Sequence, residues 1–141
     1  MTVKHRSGVA KDASQPSLRQ VHLIHSELFA ELHRQGCKVD AGDLGENITT
    51  QGIALLELPA GNQLRIGESV RLEVTGLRNP CVQIDSFQKG LMKAVLGRND
   101  NGNLLRKTGV MAIVVTGGEV RAGDRIDAEL PATPWLPLDV V

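Results

Sequence analysis

The sequence predicts a mainly β fold, a β-barrel of mixed strands with two or so short peripheral α-helices. Three observations support this prediction. Several short runs alternate apolar and polar residues, as strands do when they bury one face. Glycine-containing turns separate these runs, and only two segments have the spacing of an amphipathic helix. Because closure of a sheet removes its exposed edges, many short strands favour a closed or nearly closed barrel.

The length of the chain and its polar beginning predict how it is organised. Residues 1–141 suit a single domain with one hydrophobic core. Residues 1–18 are polar and lack apolar periodicity, which predicts an irregular leader. We therefore expect residues 19–130 to form the barrel and residues 131–141 to form a C-terminal tail.

The first regular elements are predicted to be a strand and a helix. Alternation over residues 21–24 is typical of a short strand. Ser26 suits the N-cap of a following helix, and Gly36 suits the residue after its end. The apolar stripe of this helix consists of Leu28, Phe29 and Leu32.

Further strands and a second helix follow. Period-two patterns predict strands over residues 47–50, 54–58, 64–66 and 69–75. Phe87, Leu91 and Val95 recur at the i, i+4 and i+8 positions, which predicts a helix over residues 86–96. The nearly continuous apolar run over residues 110–116 predicts a central strand that is buried on both faces.

Charge and aromatic content argue against nucleic acid as a partner. Sixteen basic residues balance sixteen acidic ones, so the chain lacks the net positive charge that favours phosphate backbones. The aromatic residues are few, and they are Phe29, Phe87 and Trp135.

The sequence also predicts a cytoplasmic protein without membrane segments. The N-terminal residues are polar and lack the apolar run of a signal peptide, and no stretch approaches the ~20 apolar residues of a membrane span. The two cysteines, Cys37 and Cys81, are too few for a disulfide framework. Any role they have is as separate thiols in a reducing compartment.

The segment that ends at Cys81 is the first candidate for chemistry. It follows the clearest predicted strand directly, and Pro80 limits the conformations of the backbone beside the thiol. Arg78 would favour the thiolate if its side chain folds toward the sulfur. A thiolate serves as the nucleophile in sulfur transfer and as a ligand for soft metals, whereas a buried and inert cysteine is the alternative.

A second candidate is the glycine-containing loop over residues 42–50. Gly42 and Gly45 permit positive φ angles, and the segment is rich in backbone and side-chain hydrogen-bond donors. Such a loop could hold an anion, but an ordinary turn explains the pattern equally well. The glycine spacing matches neither a phosphate-binding loop nor a dinucleotide fingerprint.

A zinc site is a weaker hypothesis. Its candidate ligands are His22, His25, His33 and Cys37. On a strand, His22 and His25 would point to opposite faces, and Gly36 would end the helix that carries His33. Solvated or hydrogen-bonded histidines are therefore the favoured interpretation.

Three segments of the sequence resemble the MOSC family, which is related to the C-terminal domain of molybdenum cofactor sulfurase. They are GDLGENITTQG at residues 42–52, TGLRNPCVQID at residues 75–85 and GVMAIVVTGGEVRAGDRI at residues 109–126. The resemblance spans most of the chain and implies a MOSC-like β-barrel with a few peripheral helices. The Gly-Glu-Asn and Arg-x-Pro-Cys elements are specific when they occur together in this order.

The resemblance also implies a function. It implies binding of the pterin-based molybdenum cofactor, with Cys81 as metal ligand or sulfur carrier and Arg78 beside the thiolate. The residues implied to contact the pterin or its phosphate are Gly45, Glu46, Asn47, Thr49 and Asn79. Relatives with bound molybdenum reduce N-hydroxylated compounds, so a molybdenum-dependent oxidoreductase of this kind is the leading hypothesis.

Two other functions stay open. In one, Cys81 carries a persulfide that it receives from a pyridoxal-phosphate-dependent desulfurase. In the other, the domain is a binding module without chemistry. A reductase would be the protein partner of an oxidoreductase.

The chain departs from the family at its N-terminus. Longer members carry an additional strand region, with a Gly-Asp-x-His element, before the segment that matches residues 2–6. A barrel without that strand would lack one wall of the cofactor pocket and would expose an edge. An exposed edge favours a homodimer that forms by strand exchange.

Overall fold

The computed structural model describes residues 2–3, 18–80, 84–98 and 100–141, with only the backbone of residues 2–3. The strands within these ranges are β1 (Thr2–Val3), β2 (Val21–His25), β3 (Ile48–Thr50), β4 (Gln63–Ile66), β5 (Val70–Leu77), β6 (Leu96–Arg98), β7 (Leu104–Arg106), β8 (Val110–Thr116), β9 (Gly118–Glu119) and β10 (Ile126–Glu129). The helices are α1 (Glu27–Arg34), a 3₁₀ helix (Leu55–Glu57), α2 (Ile84–Phe87) and α3 (Leu91–Val95).

Six strands form one curled sheet, a half-barrel, in the order β10-β4-β5-β8-β2-β3. Strands β2 and β3 are parallel, and the other neighbours in this sheet are antiparallel. Two small antiparallel ladders, β1 with β9 and β6 with β7, accompany the sheet. The prediction of a mainly β fold with mixed strands and short peripheral helices is confirmed.

Strand β2 lies between two apolar cores. Its successive side chains point to opposite faces, so Leu23 and Ile24 are both fully buried but contact different clusters. The larger cluster contains residues of β4, β5 and β8, among them Leu64 and Leu72. The smaller cluster packs α1 and α3 against Ile24 and the segment after α1.

The two clearest predicted strands are confirmed. Strand β5 alternates buried and half-buried residues along its whole length, as its sequence pattern requires. Strand β8 covers the predicted residues 110–116 and lies between β5 and β2. Residues 110–112 are buried on both faces, whereas Ile113 is half-buried and Val115 and Thr116 are exposed, so the predicted burial on both faces holds only for the first part of the strand.

The first helix also agrees with its predicted boundaries. Ser26 occupies the N-cap position, although its side chain makes no capping hydrogen bond. Gly36 follows the helix with a φ of 84°, in the left-handed region that favours glycine. Its N–H donates to the carbonyl of His33, and the next N–H, of Cys37, donates to the carbonyl of Leu32.

The strand predicted over residues 54–58 is wrong, because this segment forms the 3₁₀ helix. The N–H of Glu57 donates to the carbonyl of Ala54, and the N–H of Leu58 donates to that of Leu55. These hydrogen bonds span three residues, as a 3₁₀ turn requires. Leu55 is fully buried, and a short apolar run of this kind fits a buried turn as well as a strand.

The single helix predicted over residues 86–96 is also wrong. Gly90 has a φ of 86° and separates α2 from α3. The carboxylate of Asp85 accepts the backbone N–H of Met92 at 2.8 Å, which joins the two short helices. Phe87 is 52% exposed, so the predicted apolar stripe is not continuous.

The C-terminal tail adds to the end of β5. The N–H of Leu77 donates to the carbonyl of Asp139 at 2.8 Å, and Leu77 forms a parallel bridge with Val140. A Cβ on Gly76 would lie 2.4 Å from the Asp139 carbonyl oxygen, so only glycine permits this approach.

None of the helices in the described ranges has the length and apolar character that a bilayer crossing requires.

Candidate functional site

The glycine-containing loop before β3 is a set of turns closed by its own backbone. Gly42 and Gly45 have φ angles of 91° and 80°, as predicted. The N–H of Asp43 donates to the carbonyl of Asp40, and the N–H of Gly45 donates to that of Gly42. These two amides therefore stabilise the loop itself.

Asn47 attaches this loop to β2. Its side-chain oxygen accepts the backbone N–H of His22 at 2.9 Å. Its own backbone N–H donates to the carbonyl of His22 at 2.8 Å. The end of the loop is therefore fixed to the strand by two hydrogen bonds.

The loop after β5 is fixed by residues that precede β8. The N–H of Arg78 donates to the carbonyl of Gly109 at 3.0 Å. The hydroxyl of Thr108 donates to the carbonyl of Arg78, also at 3.0 Å. Gly109 has a φ of 88°, and a Cβ there would lie 2.0 Å from the Leu23 carbonyl oxygen.

His22 joins these two loops. Its Nε2 lies 2.6 Å from the carbonyl oxygen of Thr108. Because a carbonyl only accepts hydrogen bonds, Nε2 carries the proton and donates it to this bond. His22 is 6% exposed and Thr108 is 3% exposed, so the bond is shielded from water.

A cleft opens beside His22 and Arg78. One part, of about 240 Å³, has both apolar and polar lining residues, which are His22, Asp43, Leu44, Arg78, Pro80, Ile84, Phe87 and Thr108. The other part, of about 470 Å³, shares His22, Leu44 and Arg78 and adds Gly45 and Asn47. The two loops thus form the walls of one cleft.

Glu46 lies between two residues that line the cleft, and its carboxylate has no hydrogen-bond partner among the described residues. Glu46 is 9% exposed, and neither carboxylate oxygen has a hydrogen-bond partner within the described ranges. Its chain neighbours, Gly45 and Asn47, both line the cleft. Burial of a carboxylate without a hydrogen bond costs several kcal/mol, so this group favours a hydrogen-bond donor.

Burial controls the protonation of the nearby histidine. It lowers the pKa of His22 below the ordinary value of 6.5. The hydrogen bond to Thr108 and the charge of Glu46 act in the opposite direction, and Arg19 adds to the lowering. At neutral pH, His22 is therefore a neutral imidazole that donates through Nε2.

The structure separates the residues that the family resemblance implied. Gly45, Asn47 and Arg78 line the same cleft. Thr49 instead lines a neighbouring cavity of about 340 Å³, which Asn47 shares. Asn79 is exposed, and its side-chain oxygen accepts the Nε–H of Arg106 at 3.2 Å.

Cys81 lies outside the described residues, as do Val82 and Gln83. The other thiol, Cys37, is buried in the smaller core.

Sequence patterns did not identify His22 and Thr108 as residues of this cleft. His22 was predicted only as a possible metal ligand, and Thr108 had no predicted role. A buried histidine at an inward position of a strand was the available signal, because such a group requires a hydrogen-bond partner. Within the described ranges, no three potential metal-ligating side chains lie together.

These features define a small β-rich domain, a curled half-barrel with a polar cleft between two loops. The family model of the MOSC domain matches residues 10–127, and the chain belongs to this family.

Solved structures show the same fold. The chain is similar to YiiM from Geobacillus stearothermophilus, with a TM-score of 0.68 and 22% identity over 86% of this chain and 60% of that one. It is similar to the YuaD protein from Bacillus subtilis, with a TM-score of 0.66 and 21% identity over 81% and 65%. For YiiM from Escherichia coli the TM-score is 0.61, with 20% identity over 84% and 58%. The chain therefore spans about three fifths of the length of these structures, and no curated protein matches it.

Proposed function

We propose that this chain binds the molybdenum cofactor in the cleft and acts as an oxidoreductase on N-hydroxylated small molecules. The observation that carries the proposal is the meeting of two family motifs. Gly45 and Asn47 from one motif line the same cleft as Arg78 from the other. Membership of the MOSC family supports the proposal.

The described residues of the cleft suit an anionic ligand with several hydrogen-bond donors. Arg78 supplies a permanent positive charge, which matches the anionic groups of the cofactor. Glu46 supplies two buried acceptor oxygens that have no partner within the described ranges, and a pterin ring carries N–H donors. The chemistry of these side chains therefore fits the group that the family implies.

In this proposal each motif has a distinct task. Cys81 is the metal ligand, and Arg78 stabilises its thiolate. The residues that hold the pterin or its phosphate are Gly45, Glu46, Asn47, Thr49 and Asn79. When bound, the cofactor would supply two electrons to reduce an N–O bond, a reductase partner would replace them, and two protons would convert the released oxygen to water.

Molybdenum content tests the proposal. The chain is expressed in a host that makes the cofactor, and molybdenum per chain is measured for the wild type, Cys81→Ser and Cys37→Ser. We expect nearly one molybdenum per chain in the wild type and in Cys37→Ser, and almost none in Cys81→Ser. Absence of molybdenum from all three proteins, or equal loading of all three, would contradict the proposal.

A sulfur carrier is the second candidate, and the rim of the cleft favours it. Phe87 is 52% exposed beside Pro80, which gives an apolar contact for a protein donor. A persulfide on a pyridoxal-phosphate-dependent desulfurase would pass its outer sulfur to the Cys81 thiolate, and the donor cysteine would leave as a thiolate. Mass spectrometry would then detect one added sulfur on Cys81 in the wild type and in Cys37→Ser.

A binding module without chemistry makes the opposite prediction for the thiol. Cys81→Ser would then bind pterin as tightly as the wild type and would gain no sulfur. Retained pterin affinity in this variant, together with absent molybdenum and persulfide, would favour the module over both chemical functions.

We also propose that the chain forms a homodimer through a sheet edge. Strands β3 and β10 are the ends of the six-stranded order within the described ranges. Unpaired strand edges favour pairing with another chain. Sedimentation of the purified protein should give the mass of a dimer, and a strictly monomeric profile would remove this proposal.

A further inference from the structure

A continuous path of hydrogen bonds joins the two motif loops. Asn47 and His22 exchange backbone and side-chain hydrogen bonds, at 2.8 Å and 2.9 Å. His22 donates from Nε2 to the Thr108 carbonyl at 2.6 Å, and the Thr108 hydroxyl donates to the Arg78 carbonyl at 3.0 Å. Each step joins residues that are distant in sequence, and the histidine step spans 86 positions.

His22 connects this path of hydrogen bonds to the cleft. Its side chain lines both parts of the cleft, and so does that of Arg78. Any buried imidazole needs a hydrogen-bond partner, and here the partner belongs to the segment that anchors the opposite wall of the cleft. The MOSC motifs in the sequence do not include His22 or Thr108.

We propose that His22 is a positioning residue, which acts through Thr108 to hold the Arg78 loop at the distance from the Asn47 loop that the ligand requires. The inference rests on the proposed function for the identity of the ligand. The coupling between the two loops is a property of the chain itself, so it is measurable without any ligand.

Removal of the imidazole should make the loop that carries Arg78 more mobile. Without the Nε2–H donor, the buried Thr108 carbonyl loses its partner, and an unsatisfied buried acceptor favours local rearrangement. Thr108 then no longer has a fixed orientation from which to donate to Arg78. Loss of residues that orient the groups around a metal typically weakens metal binding by about 10–100-fold.

Amide hydrogen exchange of the ligand-free full chain tests the inference. The variants are His22→Leu, which removes the donor, and His22→Gln, which restores an N–H donor. Exchange of the Arg78 amide, which donates to Gly109, measures local opening of the Arg78 loop. Exchange of the Leu72 amide in β5 measures global opening. We expect His22→Leu to lower the protection of the Arg78 amide about tenfold relative to that of Leu72, and His22→Gln to recover most of it.

His33→Leu is the matched control. The Nε2 of His33 also lies near a backbone carbonyl, that of Val39 at 3.1 Å, but this pair lies beside α1 and lines neither part of the cleft. Protection of the Arg78 amide should therefore be unchanged in His33→Leu. Unchanged protection in His22→Leu, or an equal fall at Arg78 and Leu72, would overturn the inference.

A second variant covers the case in which His22→Leu does not fold. Thr108→Val removes the hydroxyl that donates to Arg78 and leaves the Thr108 carbonyl in place for His22. It should lower the protection of the Arg78 amide, and Thr108→Ser should retain it. Equal protection in Thr108→Val and Thr108→Ser would overturn the inference.

Molybdenum retention separates this inference from the proposed function. If the wild type carries molybdenum, His22→Leu should release it about tenfold faster during dialysis, and His22→Gln should release it more slowly than His22→Leu. If the wild type carries none while the Arg78 amide responds as expected, the proposed function fails and the positioning role is supported. Full retention in His22→Leu with unchanged exchange would overturn only the positioning role.

Discussion

The core beneath β5 and the residues beside the cleft at β2 both include buried side chains, but these side chains differ in polarity. In the core, Leu72 and Val74 are fully buried among other apolar side chains. Beside the cleft, Glu46 buries a carboxylate that has no partner within the described ranges. The core therefore contributes stability, whereas the cleft keeps an unfavourable arrangement that a ligand would relieve.

The largest expected loss in the free energy of unfolding comes from a substitution at Gly109, where the backbone before β8 lies against that of β2. Gly109 and Gly123 have φ angles of 88° and 90°, but only at Gly109 would a Cβ collide with another backbone. Gly109→Ala should lower the free energy of unfolding by about 4 kcal/mol, and Gly123→Ala by about 1 kcal/mol. Urea denaturation checks both values, and equal losses would show that the close approach to Leu23 is not required.

A core truncation should have the next largest effect. Leu72 is fully buried in β5, between β4 and β8. Leu72→Ala should lower the free energy of unfolding by about 3 kcal/mol, because it removes apolar contacts and leaves a cavity. A loss well below 1 kcal/mol in urea denaturation would contradict the described packing of this core.

Substitution of Glu46, in contrast, should raise the free energy of unfolding. Glu46→Met removes the unpaired charge and keeps a side chain of similar length, so the ligand-free protein should gain about 1 kcal/mol in its free energy of unfolding. Glu57→Met, at an exposed position of the 3₁₀ helix, is the control and should change this free energy little. Destabilisation by Glu46→Met would mean that the carboxylate stabilises the fold, and the contrast between core and cleft would fail.

The sequence predicted the core better than the cleft for a physical reason. The period of two along β5 directly records which side chains are buried, so the strand could be read from its residues alone. Gly90, with its left-handed backbone, divides the predicted second helix. The apolar spacing on either side of it continues unchanged, so the periodicity could not reveal this break. The bond between His22 and Thr108 depends on the tertiary fold, and no local pattern connects them.

Residue patterns alone indicated the two loops of the cleft, but the individual cofactor contacts were predicted only through the family resemblance. It identified Gly45, Asn47 and Arg78, which line one cleft. The resemblance also implied that Thr49 and Asn79 contact the cofactor. In the structure Thr49 lines a neighbouring cavity, and Asn79 accepts a hydrogen bond from Arg106. A sequence motif gives the order of residues along a loop, whereas the direction of each side chain depends on the backbone.

The stability of the fold should also depend on pH. Burial lowers the pKa of His22 and of His25 below 6.5, so the unfolded chain takes up protons first as the pH falls. Their contribution to stability is complete above pH 6.5 and is lost as the pH falls through the folded pKa values. The slope is at most about 1.4 kcal/mol per pH unit for each histidine.

Urea denaturation at several pH values between about pH 5 and pH 8 measures this slope. His22→Gln should reduce the slope on the acid side, because one of the two histidines with a lowered pKa is removed. An unchanged slope in this variant would contradict the buried neutral state of His22.

We propose that the Glu46 carboxylate, which has no hydrogen-bond partner among the described residues, accepts hydrogen bonds from a bound pterin. The most direct measurement is the amount of pterin that the purified chain releases after oxidation, determined by fluorescence for the wild type, Glu46→Gln and the control Glu57→Gln. We expect nearly one pterin per chain in the wild type and in Glu57→Gln, and at least about tenfold less in Glu46→Gln. Pterin in Glu46→Gln at the wild-type level, or no pterin in the wild type, would contradict it.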